Sequence, residues 1–217
     1  MTERAQRRPT GTASGGEPTS GAAIRAGRVA DRREQILDEA QRLFLEHGLD
    51  GVTTRQIAKA VGISQPSLYA HFPNRDAIAV ELCVRAFRLL ETRLLAVDDS
   101  QTGAERIRQL CRAYIAFGLE QPAAYRVAFV ADMAVDNESG VHRGLEAGLA
   151  AFAVVRRAFG AVHADPARAE VAAQSVWAGI HGLVTILHTR PEFPFVDRRA
   201  LIEAHIERLL APELRGG

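Results

Sequence analysis

The stretch TTRQIAKAVGISQPSLYAHFPNR, residues 53–75, decides how the chain is read. Its spacing predicts two short helices. The first runs from about Thr54 to Val61, with Ile57 and Val61 on one face. The second runs from about Gln65 to His71, with Leu68 and Phe72 turned inward. Gly62-Ile63-Ser64 separates them. Thr53 and Ser64 carry hydroxyls able to accept the free amides of a first helical turn, so each is placed to cap the helix that follows. Apolar spacing of three and four, broken by a short Gly-containing turn, is the pattern of a helix-turn-helix. From Gly51 to Arg75 the fixed charges are Arg55, Lys59 and Arg75, with no acidic residue among them. Such a window suits a polyanion.

Moving outward, the preceding segment predicts a helix from about Asp31 to His47. Ile36, Leu37, Ala40, Leu43 and Phe44 form its apolar stripe. Asp31 with Glu34 offers a cap, and Gly48 a left-handed stop. His47 is a cation at the negative end of that helix. Residues 1–27 are rich in Gly, Ser, Thr and Pro, and read as a disordered basic arm carrying Arg4, Arg7, Arg8 and Arg25, with Arg28 just beyond. Such an arm is either a solvated tail or a loose phosphate and minor-groove contact.

The run ILDEAQRLFLEHGLDGVTTRQIAKAVGISQPSLYAHFPNRDAI, with the residues on to Leu82, resembles the DNA-binding domain of TetR-family transcriptional regulators. The resemblance rests on the Phe44–Gly48 helix end, Thr54, Ile57-Ala58, Gly62-Ile63-Ser64 and Tyr69-x-His71-Phe72. Within it, TTR (53–55) and QPSLYAH (65–71) are similar to the reader of the founding repressor, although Ser67 stands where that reader has a larger threonine. The resemblance implies base contacts by Arg55, Gln65, Pro66 and Ser67, and phosphate contacts by Thr54, Tyr69, His71 and Arg75. Chemistry fits those roles. A guanidinium fork pairs with guanine O6 and N7, a carboxamide with adenine N6 and N7, and a proline ring meets a thymine methyl. Lys59 is left to the DNA backbone or to solvent.

Composition sets the wider bounds. The 217 residues, 47% hydrophobic, suffice for one large or two small domains. Formal net charge is +1, which excludes a globally basic coating protein. Two cysteines, Cys83 and Cys111, supply no disulfide framework and suit a reducing cytosol, as buried thiols or as a thiol switch. No apolar run is long enough to span a bilayer, and the N-terminus lacks a signal peptide's apolar core, so a cytoplasmic location is expected.

Beyond Asn74, which caps a helix from Arg75 to about Val97, the pattern stays helical to the end. Ile78, Leu82, Leu89 and Leu90, with Val80, Val84 and Phe87, give that helix more than one apolar side, so it must touch two bodies. Helices follow from Thr102, from Pro122, after a loop at 134–140, from Asp165-Pro166 to about Thr189, and from Asp197. No β alternation occurs. The expected fold is all-α: a helix-turn-helix domain at 28–73 and a larger helical effector-binding and dimerisation domain at 74–217.

VWAGIHGLV (176–184) is apolar nearly all round. It is expected either to pair with the last helix in a homodimer or to form the core of a monomer. The interface residues expected are Val176, Ile180, Leu183, Leu187, Leu201, Ile202, Ile206 and Leu209. Trp177, His181 and Gly182 form W-x-x-x-H-G, similar to the C-terminal domain type known by those letters in some TetR-family regulators. Trp177 and His181 share a helix face, where they line a cavity or serve as core residue and buried hydrogen-bond partner. Candidate effector-pocket residues are Tyr114, Phe117, Tyr125, Phe129, Met133, Phe152, Trp177 and His181.

Hydrolase, phosphate-cradling and zincin motifs are lacking, and His181 with His188 is too few for a metal site, so neither enzyme nor cofactor is expected. What the resemblance implies is a ligand-responsive regulator, most often a repressor, binding a near-palindromic duplex as a homodimer. The competing reading is a non-specific or architectural DNA binder.

Overall fold

Local signals set the helix ends. Gly48 and Gly62 stop the first two helices at φ 75° and 73°, a left-handed conformation that costs glycine nothing. Thr53 forms a reciprocal capping box with Gln56: its Oγ1 accepts the Gln56 amide at 3.3 Å, while Gln56 Oε1 accepts the Thr53 amide at 2.8 Å. Ser64 accepts from Ser67 N at 3.3 Å, Asn74 from Ala77 N at 2.7 Å and Asp165 from Ala167 N at 3.0 Å. Asp197 accepts from Ala200 N at 2.9 Å.

The computed structural model describes residues 20–98, 100, 103–129 and 138–214, and every regular element among them is an α-helix. In chain order these are α1 (Ser20–His47), α2 (Thr54–Val61), α3 (Gln65–Tyr69), α4 (Arg75–Leu95) and α5 (Gly103–Glu120). α6 (Pro122–Phe129), α7 (Glu138–Gly160), α8 (Pro166–Thr189) and α9 (Arg198–Leu214) complete the set. Helix α1 begins at Ser20 instead of the expected Asp31, so the last residues of the expected disordered arm are helical. Ala22, Ala23, Ala26 and Ala30 are strong helix formers with no proline among them, and Asp31 lies inside the helix. Helix α3 stops at Tyr69, which leaves His71 in the turn beyond it. Helix α7 starts at Glu138, inside the expected loop; residues 130–137, including Met133, lie outside the described residues.

Two apolar clusters organise the chain. One gathers Ile36, Leu37, Ile57, Leu68, Phe72, Ile78 and Leu82 from α1–α4, together with Val127 of α6. The other runs from Ala86, Leu90 and Leu94 of α4 through α5–α9. Helix α4 therefore belongs to both, and Phe87 packs against each of them. Its wide apolar face has this cause.

Close helix approach in the larger cluster depends on missing side chains. A Cβ at Gly118 would lie 2.5 Å from Val184 Cγ1, and one at Gly179 would lie 2.6 Å from Leu209 Cδ2. At Gly182 nothing lies within 4 Å, and the residue faces outward. Gly179 thus admits α9 within its own chain, and Gly182 does not take part in that approach. Gly118→Ala gains helix propensity of up to about 1 kcal/mol but overpacks a buried, stiff valine at about 1–3 kcal/mol. The net prediction is lower stability in denaturant unfolding, whereas Gly27→Ala, inside α1 with nothing within 4 Å of the added Cβ, leaves stability equal or higher. Equal effects of the two substitutions would contradict this packing.

Candidate nucleic-acid interface and effector cavity

The α2–α3 pair turns its apolar residues inward and its polar tips out. Ile57 and Leu68 are fully buried, while Arg55, Lys59, Pro66, Ser67 and Tyr69 are exposed. Gln65 Nε2 donates to Thr54 Oγ1 at 3.2 Å and to the Tyr69 hydroxyl at 3.1 Å, and those two oxygens are 3.3 Å apart. Three of the expected contact residues thus meet in one small network across the two helices. The Thr54 hydroxyl and the Gln65 amide hold the Tyr69 phenol below its ordinary value. Ser67 Oγ lies 2.8 Å from Ser64 Oγ and shares in the cap. Neither Arg55 nor Lys59 has a hydrogen bond or ion pair among the described residues.

Arg75 sits differently from the expectation of a phosphate contact. Its Nε donates to Asp76 Oδ1 at 3.1 Å, its Nη1 donates to the Leu49 carbonyl at 3.2 Å, and Asp50 lies 3.6 Å away. The contacts with Leu49 and Asp50 tie the start of α4 to the turn that follows α1. His71 is half-buried beside it.

Two further links between elements escaped the sequence reading. Glu81 of α4 pairs with Arg33 of α1 at 3.0 Å and with Arg143 of α7 at 2.9 Å. Burial works against that carboxylate, yet the two guanidiniums hold it below its usual value. Arg33 also stacks over the Phe72 ring at 4.7 Å. Helix α6 contributes Val127 to the smaller core, while Arg126 Nη1 donates to the Leu45 carbonyl of α1 at 3.4 Å.

In the larger core, α4 to α8 enclose a cavity of about 670 Å³. Of the candidate effector-pocket residues, Tyr114, Phe129, Phe152 and Trp177 line it. The expectation fails for Phe117, Tyr125 and His181, which are not among the lining residues. Phe117 and Tyr125 are completely buried. The Tyr125 hydroxyl lies 2.7 Å from His181 Nδ1 and 3.2 Å from the His181 carbonyl, and Tyr114 OH lies 3.1 Å from the same ring nitrogen. Of the two roles open to it, His181 has the buried hydrogen bond, because the two tyrosines satisfy it behind the wall. Cys83, Leu90, Leu94, Leu145 and Leu149 also line the cavity. Leu145, Leu149 and Phe152 follow one another at helical spacings of four and three, a signal in the sequence, and the two leucines are more than half exposed, at 57% and 55%.

Burial pushes the Cys83 thiol up to about 11 and the Cys111 thiol up to about 12, so both stay protonated near neutral pH and are poor nucleophiles. Among the described residues no three His, Cys, Asp or Glu side chains gather where they could hold a metal ion. No helix of the described residues is long and apolar enough to cross a membrane.

Five of the eight expected dimer residues need correction, and the other three keep partly exposed faces. Val176, Ile180, Leu183, Leu187 and Ile206 are buried in the chain's own core, while Leu201, Ile202 and Leu209 pack partly against it. The core of one chain consumes that face because α5 and α9 flank α8. Helix α8 instead exposes Val171, Ser175, Ala178, Gly182 and Ile186, at spacings of four, three, four and four.

Comparison with known proteins agrees with this architecture. A family model described as bacterial regulatory proteins, tetR family, matches residues 36–82. A second, described as the tetracyclin repressor-like C-terminal domain, matches residues 107–209. Nucleoid occlusion factor SlmA of Vibrio campbellii is 34% identical over 110 residues, covering 50% of this chain and 56% of that protein. Tetracycline repressor protein class D of Escherichia coli is 47% identical over 57 residues, covering 24% of this chain and 26% of its own. The chain thus spans about half or less of these curated relatives. A bacterial regulatory protein in the tetR family from Rhodococcus RHA1 superposes with a TM-score of 0.69 at 18% identity, over 83% of this chain and 95% of its own.

Burial keeps the His181 and His188 imidazoles below the ordinary 6.5, helped at His188 by Arg126 and Arg198. Depressed histidine values mean that the unfolded chain binds protons first. Their contribution to stability is present above pH 6.5 and is lost as pH falls through the lowered folded values. Thermal unfolding is expected at lower temperature near pH 5 than near pH 7.5, with a shallower pH slope in His181→Asn. An unchanged slope in that variant would show that His181 does not titrate as described.

Proposed function

The chain belongs to the TetR family of bacterial regulatory proteins, and we propose that it is a ligand-responsive repressor binding a near-palindromic operator as a homodimer. The observation that carries the DNA reading is the α2–α3 surface: exposed Arg55 and Lys59 without ion pairs, beside the Thr54–Gln65–Tyr69 network. Arg55 is assigned to a guanine edge and Gln65 to an adenine, with Pro66 and Ser67 alongside. In the free chain the Gln65 amide is held between two hydroxyls. On a duplex, Thr54 and Tyr69 turn those hydroxyls to phosphates and release the amide to the base. His71 and Lys59 add backbone contacts. Arg75 is withdrawn from the phosphate set, because its guanidinium already ties α4 to the turn that follows α1.

Repression is relieved, in this reading, by a small effector in the cavity. The cavity wall includes Cys83, Phe87, Leu90 and Leu94 of α4, and only five residues separate α4 from the end of α3. It also includes Ala128 and Phe129 of α6, whose neighbours Arg126 and Val127 grip the smaller core. Gly144 and Leu145 of α7 line it beside Arg143, the partner of Glu81. An occupant that shifts α4, α6 or α7 therefore changes the seating of α1 and of the reader. A coupling of about 1–3 kcal/mol is enough to move a regulator off its site. The homodimer is assigned to the outward stripe of α8 through Val171, Ser175, Ala178, Gly182 and Ile186, where small residues permit close approach.

Two measurements check these assignments. Binding to the chain's own upstream DNA at fixed salt is expected to lose about 1–3 kcal/mol of discrimination at one base pair per half-site in Arg55→Ala or Gln65→Ala. Equal losses on random duplex would favour a non-specific or architectural binder instead. Ile186→Asp, on an exposed face, is expected to give a folded monomer in light scattering with weakened operator binding. A dimer that persists in that variant would place the interface elsewhere.

A further inference from the structure

The cavity's polarity is uneven, and the unevenness selects a class of occupant. Aromatic rings from five helices, α4 to α8, form much of the wall. Phe87 and Phe129 meet edge to face at 5.0 Å, and Phe152 and Trp177 form a second pair at 6.0 Å. Ring pairs of this kind present faces and edges to a flat apolar guest. The Tyr114 phenol, buried in the wall, already has its partner in His181. Among the described residues, charge enters the lining only through Arg156 of α7 and Glu170 of α8.

Those two charges are not equivalent. The Glu170 carboxylate accepts a bond from the Gln174 amide at 2.7 Å. Arg156 is exposed and has no hydrogen bond or ion pair among the described residues. Among the described residues, a charged group pushed into the ring-lined part of the cavity would meet no opposite charge to compensate its desolvation. A negative group left at the edge meets a free guanidinium fork.

We propose that the effector is a ring-bearing amphiphile with one anionic group, its uncharged body among the aromatic walls and its carboxylate or sulfonate against Arg156. This rests on the reading of the cavity as the effector site. The Arg156 side chain is then the residue that sets charge preference, and the walls set size and shape.

Anilinonaphthalene sulfonate and phenylnaphthylamine test the idea, because they share one ring skeleton and differ in the sulfonate. The chain has a single tryptophan, Trp177, which lines the cavity and reports occupancy through energy transfer to either dye. Both dyes are expected to quench Trp177 with one-to-one stoichiometry. Arg156→Gln should weaken the sulfonate about two- to five-fold at low salt, the size of an exposed ion pair, and leave phenylnaphthylamine unchanged. Arg156→Glu should weaken the sulfonate further, and added salt should reduce the wild-type preference. If phenylnaphthylamine binds but Arg156→Gln changes neither dye, the anionic class is overturned while the cavity reading stands. If neither dye quenches Trp177, the cavity reading falls as well.

Discussion

Helix α4 cannot move at one end without moving at the other. Ile78, Ala79, Leu82 and Cys83 are packed in the smaller core, and Ala86, Leu90 and Leu94 in the larger. Interiors are close-packed, so a displacement of this helix must be taken up by neighbours on both sides. Helix α6 makes a second, shorter bridge, with Phe129 on the cavity and Val127 in the smaller core. The Arg33–Glu81–Arg143 cluster adds an ionic tie near the middle of the same joint. Two cores that share a helix have linked positions, and this linkage is what makes a distant cavity relevant to the α2–α3 surface.

Electrostatics marks that surface: from Gly51 to Arg75 it has cations and no acidic residue. Several arginines elsewhere are matched with carboxylates: Arg42 with Glu39 and Glu46, Arg85 with Glu34 and Asp38, Arg108 with Glu207, and Arg112 with Glu203. Pairs this exposed contribute little stability, commonly below about 1 kcal/mol each. Their larger effect is to cancel charge locally. Arg55 and Lys59 are left uncancelled, so a net charge of only +1 still leaves a positive reader. On the proposed reading, the attraction to nucleic acid is thus concentrated where base edges would be inspected.

What could be read in advance was mostly what is decided locally. Caps at Thr53, Ser64, Asn74 and Asp165 depend on side chains reaching amides two or three residues away, and the sequence displays them. The outward direction of α8 is a different kind of fact. With apolar or small residues nearly all round, its sequence does not say which face α5 and α9 will take, and Val176, Ile180 and Leu183 went inward while Ala178 and Gly182 stayed out. The aromatic residues divided for a similar reason. Tyr114 reaches the cavity, whereas Tyr125 is withdrawn by its bonds to His181, 56 positions away. The early start of α1 was hidden by a Gly- and Ser-rich composition that also contains alanines fit for a helix.

The claim that the two cores answer to one another is open to direct measurement, without knowledge of the effector. Linkage is reciprocal, so DNA held by α2 and α3 must alter the cavity end of α4. Amide hydrogen exchange of the full chain, with and without duplex from its own upstream region, reads both ends at once. The account predicts slower exchange across residues 53–72 together with a change in residues 83–94, where α4 lines the cavity. Protection confined to residues 53–75, with α4 beyond them unaffected, would contradict it.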